Sequence, residues 1–427
     1  MKCPISRRWR VGLGCVVIIP PALWLAVVAV VPTETARRTI ADRLSAASGR
    51  HVSLGGLRLG PLGGVYLTDL RIGAPASGEN PWLRVGNAAI DVNPVQLLLG
   101  RLEPQEIQVD GLSLRVLRRR DGTVELGDFL QPADGAAGGT DADADERPEH
   151  SGIRLHVKNA RVDLIDEPTG TRLEFSGVEG RATCDGTTTR VSELWGRLNG
   201  GTFASAFTID RTGRSPSFEG QFKAQNVALA DGMKALAYAA PVFAGTGSKP
   251  DGRLSLNLVA SGKAITRDEL RKTFRGYGDI VLDPIRLDGC DLVSEIGRVI
   301  DIPREGRIGA VRSHFRVADG KVTTDDLTLD VAKIPIVLSG STDFDGVLSY
   351  RLKVEGLNNR LPARAKDMLG ELGVRVEDVA DARVSGNVEA VTLTVNGVAL
   401  SPSDDGTPGD RHKLREIGRR LIDRIQR

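Results

Sequence analysis

An uncharged run near the N-terminus constrains this chain more than any other feature of its 427 residues. Residues 11–31, VGLGCVVIIPPALWLAVVAVV, carry no charge, and basic residues cluster in the ten positions before them. A helix rises about 1.5 Å per residue, so this run spans roughly 30 Å, which is the thickness of the hydrocarbon core of a bilayer. We therefore expect residues 1–10 to form a cytoplasmic basic segment and residues 11–31 to form a single transmembrane helix.

A cleaved secretion signal is the alternative interpretation, because it also combines a basic start with an apolar run. The apolar part of such a signal has roughly 7 to 15 residues, which is shorter than the run found here. Its best cleavage site, Val27 before Ala29, would lie inside the run. We interpret the run as a membrane anchor with residues 32–427 outside the cytoplasm, since a long C-terminal body can cross a membrane regardless of loop charge.

The composition argues against a nucleic-acid partner and against a large compact core. The 57 basic and 55 acidic residues nearly balance, so no positive field extends over the whole chain. The chain combines 50 glycines with an aromatic content of only 4%, which provides many turns but few large side chains to fill a core. An elongated sheet fits this composition better.

Hydrophobic periodicity predicts one helix followed by many strands. Between residues 33 and 48, apolar side chains recur at helical spacing, and Gly49 follows as a stop. Beyond it, apolar residues alternate with polar ones in short runs broken by Gly or Pro, as in strands with one wet face. Short helices are expected to interrupt the strands near residues 94–99, 228–240, 292–300 and 363–372.

Repeated Asp-Gly and Asn-Gly dipeptides predict the connections between these strands. Such pairs supply the positive backbone angles of tight hairpins, so the strands on either side are expected to be antiparallel neighbours. The predicted fold is therefore mainly β, an elongated and curled antiparallel meander with a few short helices. The dipeptides begin at Asp110, Asp121, Asp185, Asn199, Asp251, Asp288, Asp319, Asp345 and Asn396.

Residues 131–150, QPADGAAGGTDADADERPEH, have no large apolar side chain and are predicted to form a flexible acidic linker. Aspartates at alternate positions of residues 141–145 have the spacing that begins a calcium-binding loop. However, Glu146 and Gly152 stand where that loop requires a glycine and a glutamate. We therefore predict a solvated acidic tether here, not a metal site.

The sequence has no recognisable catalytic or metal-binding constellation. Its five histidines lack the spacing of metal ligands, and the motifs of serine nucleophiles, phosphate loops and dinucleotide binding are absent. Beyond the anchor region, Cys184 and Cys290 are interpreted as small buried residues, with a disulfide between them as the alternative. We predict no enzymatic activity, no catalytic residue, no metal and no cofactor. A glycan-acting enzyme with two convergent carboxylates is the alternative.

Two stretches of the chain carry a resemblance to a known family. The first, residues 39–130, contains a short helix ending in Ser-Gly-Arg, a strand pair closing on Leu70-Arg71-Ile72, a Leu-Leu-x-Gly element and a strand ending in Arg-Asp-Gly. The second, residues 278–356, includes FRVADGKVTTDDLTLDVAKIPIVLSGSTDFDGVLSYRLKVEG. In this order and behind a membrane anchor, the two stretches resemble the N-terminal and C-terminal regions of AsmA-like proteins.

The resemblance implies a protein of the envelope of double-membrane bacteria, anchored in the inner membrane with most of the chain in the periplasm. The implied fold is a curled, groove-like β-sheet that carries lipid in an apolar groove, related in architecture to bridge-like lipid transfer proteins. Membrane phospholipid and an envelope protein would be the partners, and outer-membrane assembly the process supported. An envelope scaffold with the same strands and a self-packed core is the alternative function.

On this basis the chain behind the anchor divides into modules. An N-terminal AsmA-like β module is predicted at residues 32–130, and the acidic linker follows at residues 131–150. A middle β module is predicted at residues 151–262, an AsmA-like C-terminal β module at residues 263–400, and a linker with a basic amphipathic helix at residues 401–427.

The strands between residues 327 and 354 show the clearest one-sided apolar pattern. Apolar side chains occupy one face of these strands, whereas Thr328, Asp330 and Lys353 occupy the other. An apolar face needs a cover of protein or of acyl chains, and the family resemblance favours lipid. The lipid-groove candidates are Leu327, Leu329, Val331, Ile334, Ile336, Leu338, Leu348, Tyr350, Leu352 and Val354.

The C-terminal tail is predicted to form a basic amphipathic helix from residue 410 onward. Leu414, Ile417, Leu421 and Ile425 recur at spacings of three and four among many basic residues. Such a helix either caps the end of the sheet or binds an anionic membrane surface. The membrane-surface candidates are Arg411, Lys413, Arg415, Arg419, Arg420 and Arg424.

Overall fold

Strands dominate this computed structural model, as the sequence predicts. The structure describes residues 33–48, 51–60, 64–73, 81–92, 104–121, 152–167, 170–213, 215–229, 236–244, 251–263, 267–286, 308–331, 334–354, 381–388, 390–395 and 398–399. The helices are α1 (Thr33–Ser48), α2 (Leu236–Ala239), a 3-10 turn (Pro241–Phe243) and α3 (Arg267–Thr273). The strands are β1 (His51–Leu59), β2 (Gly64–Gly73), β3 (Leu83–Val92), β4 (Pro104–Arg118), β5 (Ile153–Asp166), β6 (Thr171–Asp185), β7 (Thr188–Leu198), β8 (Gly201–Asp210), β9 (Ser217–Ala228), β10 (Asp251–Lys263), β11 (Arg275–Arg286), β12 (Ile308–Ala318), β13 (Lys321–Val331), β14 (Ile334–Asp343), β15 (Val347–Val354), β16 (Asp381–Asn387), β17 (Val391–Val395) and β18 (Val398–Ala399).

Residue contacts divide the chain into two compact units. The first unit comprises Met1–Pro168, Leu173–Leu198 and Phe203–Arg214. The second unit comprises Thr169–Arg172, Asn199–Thr202 and Ser215–Arg427.

Helix α1 has the predicted bounds and packs against β1. Arg37 donates a hydrogen bond to the carbonyl of Leu54 at 2.8 Å, and the Ser45 hydroxyl accepts one from the backbone N–H of Val52 at 3.0 Å. Among the described residues, no helix has both the length and the apolar character that a membrane crossing requires. The predicted transmembrane run at residues 11–31 lies outside these residues.

The sheet of the first unit departs from a simple meander at one step. Strands β1 to β4 pair in order as antiparallel neighbours, but β5 lies parallel to β4. The prediction of an uninterrupted antiparallel meander is wrong here. A parallel neighbour needs a connection of about a dozen residues or more, and the chain between Arg118 and Ile153, which includes the acidic linker, provides that length.

A row of left-handed backbone positions crosses this sheet. Asp69, Gly111 and Asn159 have positive φ angles of 50°, 69° and 51°, and they lie at the same level of β2, β4 and β5. The pairing register is the same on both sides of this row, so no strand gains a residue over its neighbour there. The alternation of apolar residues shifts by one position at this row in each strand, and the apolar side chains therefore stay on one face. The Asp110-Gly111 pair lies within β4, not in the predicted hairpin turn.

Strands β6, β7 and β8 contribute a second apolar contact to the first unit. Strands β6 and β7 pair antiparallel. Phe175 on β6 meets Phe203 on β8 edge to face, with ring centroids 5.1 Å apart. Gly196 on β7 lies beside them, because a Cβ at this position would stand 3.1 Å from the Phe203 ring. The glycine therefore permits this close packing.

Several of the predicted turn dipeptides connect the strands on either side of them. The glycine in each of these turns has a positive φ angle, as a tight hairpin requires. They are Asp185-Gly186, Asn199-Gly200, Asp319-Gly320 and Asp345-Gly346. Asp251-Gly252 instead begins β10, and the pairs that begin at Asp121, Asp288 and Asn396 extend beyond the described residues.

The sheet of the second unit is the predicted meander. Strands β9 to β18 pair in sequence order, and every pairing is antiparallel. One face of β10 to β17 is closely buried and forms the core of this unit. Its most buried side chains include Leu282, Val311, Leu327, Leu329, Ile336 and Leu338.

Three phenylalanines lie together at one end of this sheet. Phe218 on β9 contacts Phe274, which in turn contacts Phe344 after β14, with ring centroids 6.1 and 6.3 Å apart. Helix α3 closes the same end, because Arg271 forms an ion pair with Asp345 at 2.6 Å.

The helices within the second unit only partly match their predictions. Within the helix expected at residues 228–240, Ala228 ends β9 and Leu236–Ala239 form α2, whereas residues 230–235 lie outside the described residues. The 3-10 turn is buried. Helix α3 was not predicted from the sequence. The helices predicted near residues 94–99, 292–300 and 363–372 lie outside the described residues.

Candidate functional site

Alternation along β2 to β5 gives the first unit one apolar face. In register, Ile90 lies opposite Ile107 and Ile107 beside Leu155, while Val109 lies beside Val157. These side chains are aliphatic and only half-buried, so protein covers them incompletely. The apolar face of the first unit comprises Val65, Leu67, Ala88, Ile90, Ile107, Val109, Leu112, Leu114, Leu155, Val157, Val162 and Leu164.

Protein closes one end of this face. Val52, Ile72 and Trp82 form a buried cluster near the start of β1, and Leu70, Leu83 and Leu114 pack against it. This end lies beside α1, whose Ser45 contacts the backbone of Val52. The incompletely covered part therefore extends from this cluster over β3, β4 and β5.

The lipid-groove candidates predicted from sequence lie on adjacent strands of the second unit. In register, Leu327 lies opposite Leu338 and Leu338 opposite Leu352, so the pattern places them on one face as predicted. Leu327, Leu329, Ile336, Leu338, Leu348, Tyr350 and Leu352 are each no more than 3% exposed. Val331, Ile334 and Val354 occupy strand ends whose side chains are outside the description.

Polar side chains within this buried face are paired with one another. The hydroxyls of Ser313 and Thr324 lie 2.7 Å apart, and those of Thr342 and Tyr350 lie 2.9 Å apart. Burial raises the pKa of Tyr350 to about 12. Because protein already surrounds the candidates, acyl chains would reach them only if that cover moved. Lipid binding at these positions stays a prediction.

The opposite face of the first unit is polar and carries cross-strand ion pairs. Asp69 pairs with Arg71 at 2.6 Å and with Arg84 at 3.0 Å. The hydrogen bond from Arg71 lowers the pKa of Asp69 below its usual value. Glu106 pairs with Arg154 at 3.4 Å. The first unit therefore has one apolar and one charged surface on the same strands.

A histidine on the exposed face of the second unit lies between two carboxylates. His314 on β12 hydrogen-bonds through Nδ1 to Asp326 on β13, and its Nε2 lies 3.3 Å from Asp279 on β11. The hydrogen bond with Asp326 and the negative charges of both carboxylates raise the pKa of His314. The cluster therefore joins three neighbouring strands, β11, β12 and β13.

The remaining sequence candidates do not assemble into a site within the described structure. No group of three His, Cys, Asp or Glu side chains among the described residues could hold a metal ion. Cys184 is a free thiol, whereas Cys290 lies outside the description. The membrane-surface candidates Arg411, Lys413, Arg415, Arg419, Arg420 and Arg424 also lie outside it.

The half-buried face of the first unit was not among the predicted sites. Its alternation was visible in the sequence, for example in Ile107 and Val109 or in Leu155 and Val157. Alternation identifies an apolar face but not its cover. A further signal was the lack of aromatic side chains on this face, which leaves fewer large groups to fill it from within.

Comparison with known proteins assigns the family. The family model of the AsmA family matches residues 11–245, more than half of the chain. The match includes the first of the two resembling stretches, and the second lies beyond it. Protein AsmA of Escherichia coli (strain K12) is 23% identical over 218 residues, which cover 47% of this chain and 34% of that protein. The chain spans about a third of the length of this relative. By the extent of the family match, the chain belongs to the AsmA family.

Proposed function

We propose that this chain is an envelope protein, anchored in the inner membrane, that handles lipid on the apolar face of the first unit and supports outer-membrane assembly. Membership of the AsmA family supports the envelope role. The family match begins at residue 11, the first position of the uncharged run, which supports an anchor at residues 11–31. Phospholipid is the proposed ligand.

The observation that carries this proposal is the incomplete cover of the apolar face. Contiguous apolar surface exposed to water is unfavourable by about 25 cal/mol per Å², and large patches of it mark binding surfaces. The face extends over β2 to β5, which is roughly 14 Å at about 4.8 Å per strand. Each acyl methylene buried there contributes about 0.8 kcal/mol, so even part of one chain would supply several kcal/mol before ordering costs.

The second unit favours a different role, a scaffold with a self-packed core. Its apolar face is covered without lipid, and its buried hydroxyls satisfy each other in pairs. Paired polar groups and closely buried aliphatic side chains are typical of a protein interior. We therefore assign lipid handling to the first unit and keep the scaffold role as the second candidate function.

Photocrosslinking at two adjacent residues tests the lipid assignment. Val109 lies on the apolar face and Gln108 on the polar face of the same strand, β4. The photoreactive amino acid benzoylphenylalanine would be placed at each position in the full chain, and the cells would be irradiated. We expect lipid adducts in the mass spectrum of the Val109 protein and few in that of the Gln108 protein. Equal adducts at both positions, or none at Val109, would contradict the proposal.

The anchor and its orientation need a separate test. A reporter that is active only after export would be fused behind residue 427, and the mature N-terminus would be sequenced. We expect an active reporter and a mature chain that retains residues 11–31. An inactive reporter, or a mature chain starting beyond residue 31, would contradict this topology.

A further inference from the structure

The polar face of the first unit contains a shallow pocket that the lipid proposal does not use. The pocket has a volume of about 670 Å³ and crosses β1 to β5. It lies along the row of left-handed backbone positions, since Asn87, Asp110 and Lys158 of the adjoining register row all line it. Arg58 stands at the opposite wall, on β1.

The cations of this pocket differ from others on the same face. Arg71 and Arg84 are paired with Asp69, and Arg154 is paired with Glu106. Arg58 and Lys158, in contrast, form no ion pair with any residue that the structure describes. One carboxylate, that of Asp110, also lines the pocket and accepts a hydrogen bond from Asn159 at 3.0 Å. Two cations against this one carboxylate leave a net positive charge in the concavity, which attracts an anionic ligand.

The floor between the two cations suits a ligand rich in hydroxyl groups. The amide of Asn87 can donate and accept hydrogen bonds, and the amide of Gln108, which already donates to Glu106 at 2.7 Å, offers its oxygen as an acceptor. The Tyr66 side chain is 49% exposed and offers both a ring and a hydroxyl. Ala89 lies between Tyr66 and Gln108 in the register, and its small side chain leaves the space open.

The distance between the two cations of the pocket determines how far apart the negative charges of a ligand must be. Arg58 and Lys158 stand on β1 and β5, four strand spacings apart, or roughly 19 Å at about 4.8 Å each. Their long side chains shorten the gap, but one phosphate cannot easily bind both. We propose that this pocket binds a polyhydroxylated ring, a sugar or a cyclitol, that carries a phosphate group at each end.

Such a ring can be a soluble metabolite or the head group of a lipid. Titration calorimetry on the full chain in detergent would compare inositol 1,4-bisphosphate with dioctanoyl phosphatidylinositol 4-phosphate, which has the same phosphorylated ring. Equal affinities would identify recognition of the ring and its phosphates alone. Tighter binding of the lipid form would identify a lipid head group. Inositol and inorganic phosphate should each bind at least about tenfold more weakly than the bisphosphate, because each lacks charge-assisted contacts.

Variants distinguish this pocket from general attraction to a charged face. Replacing both pocket cations, Arg58→Gln with Lys158→Gln, should weaken binding of the bisphosphate roughly a hundredfold, at about tenfold per cation. Ala89→Trp should also abolish binding, since it fills the floor while all charges remain. The matched control is Arg71→Gln with Arg84→Gln, which removes the same charge from the same face outside the pocket and should change affinity less than about twofold.

The proposal is overturned if inositol 1,4-bisphosphate does not bind at low millimolar concentration. It is also overturned if the control pair weakens binding as much as the pocket pair, or if Ala89→Trp binds like the wild type. Circular dichroism spectra of all variants should match that of the wild type, so that loss of binding reports the pocket. Because the substituted side chains project from the polar face, a negative result here leaves the lipid proposal untouched.

Discussion

Aspartate placed at two apolar positions should separate a protein core from a lipid-binding face. Ile336 is 0% exposed on the buried face of the second unit. Val109 is half-buried on the apolar face of the first unit. Both residues lie within strands and have apolar cross-strand neighbours, Leu329 and Ala88 respectively. An aspartate at the first position is therefore enclosed by protein, whereas an aspartate at the second position is only partly covered.

The expected costs differ by several kcal/mol. Ile336→Asp loses about 1.5–3 kcal/mol of apolar burial and leaves a carboxylate in the protein interior, at a further penalty of several kcal/mol. The total approaches the roughly 5–15 kcal/mol that stabilises a typical domain, so the second unit should unfold or be held in equilibrium with its unfolded state. Val109→Asp loses about 1 kcal/mol or less of burial, and water can reach its carboxylate.

The amount of bound lipid should fall in Val109→Asp, which is the variant with the smaller loss of stability. A bound acyl chain would enclose the carboxylate of Val109→Asp without a partner, at a cost of several kcal/mol. Since 1.4 kcal/mol corresponds to about a tenfold change in affinity, phospholipid that co-purifies with this variant should fall at least about tenfold. The matched control is Gln108→Asp, which introduces the same group on the polar face of the same strand and should retain the lipid.

Urea unfolding followed by circular dichroism measures the first effect, and mass spectrometry of co-purified lipid measures the second. A wild-type urea midpoint for Ile336→Asp would refute the assignment of β13 to β15 as a protein core. A folded Val109→Asp that retains wild-type amounts of lipid would refute the lipid-binding face.

Three further predictions follow from individual contacts. Tyr350→Phe leaves the buried hydroxyl of Thr342 without its partner at 2.9 Å, so the free energy of unfolding should fall by about 1–3 kcal/mol. Combining Tyr350→Phe with Thr342→Val should recover much of this loss. An unchanged urea midpoint for Tyr350→Phe would contradict the pairing. Because the pKa of His314 is raised, the stability that His314 contributes should be complete below its unfolded pKa of about 6.5 and should disappear as the pH rises through its folded pKa. The difference in urea midpoint between the wild type and His314→Gln should therefore shrink as the pH rises. A difference that stays constant with pH would show that the ion pairs of His314 do not cause it. A Cβ at Gly340 would lie 2.1 Å from the carbonyl of Ser349, so Gly340→Ala should lower the urea midpoint more than Gly320→Ala, where the nearest atom is at 3.8 Å. Equal urea midpoints for the two variants would show that the backbone of β15 can move away from the new Cβ with little loss of stability.

Local patterns in the sequence predict the strands well, because the physics behind them is local. Helix α1 has its predicted bounds, and turns such as Asp319-Gly320 connect the strands that flank them. Alternation also places Leu327, Leu338 and Leu352 on one face, as the register confirms. In each case, neighbouring residues in the chain determine the backbone conformation.

Pairing over longer distances could not be predicted in the same way. The parallel pairing of β4 with β5 depends on where the chain returns after the acidic linker, which no local pattern specifies. The same limit applies to Asp110-Gly111, because a dipeptide suited to positive φ angles can stand within a strand as well as in a turn. Helix α3 has only seven residues, too few to show a helical period.

The alternation of apolar residues in the sequence does not predict which groups cover an apolar face. The strands around Ile336 and those around Val109 have the same period, yet protein buries the first and leaves the second half-covered. The difference arises from groups that are distant in the sequence, such as Phe274 and Phe344, whose rings are in contact in the second unit. A site can therefore be placed on a strand from sequence, but its occupant depends on what the fold brings above it.

Alternation within one strand also makes the two proposed surfaces of the first unit independent. Gln108 and Val109 are consecutive, and their side chains project to opposite faces of β4. Val109 also lines the pocket, but its side chain projects to the apolar face. Val109→Asp should therefore remove lipid while leaving the affinity for inositol 1,4-bisphosphate within about twofold of the wild type. The Arg58→Gln and Lys158→Gln pair should do the reverse. If either change impaired both ligands, the sheet would have to transmit the perturbation through its backbone, and the assignment of separate surfaces to its two faces would be wrong.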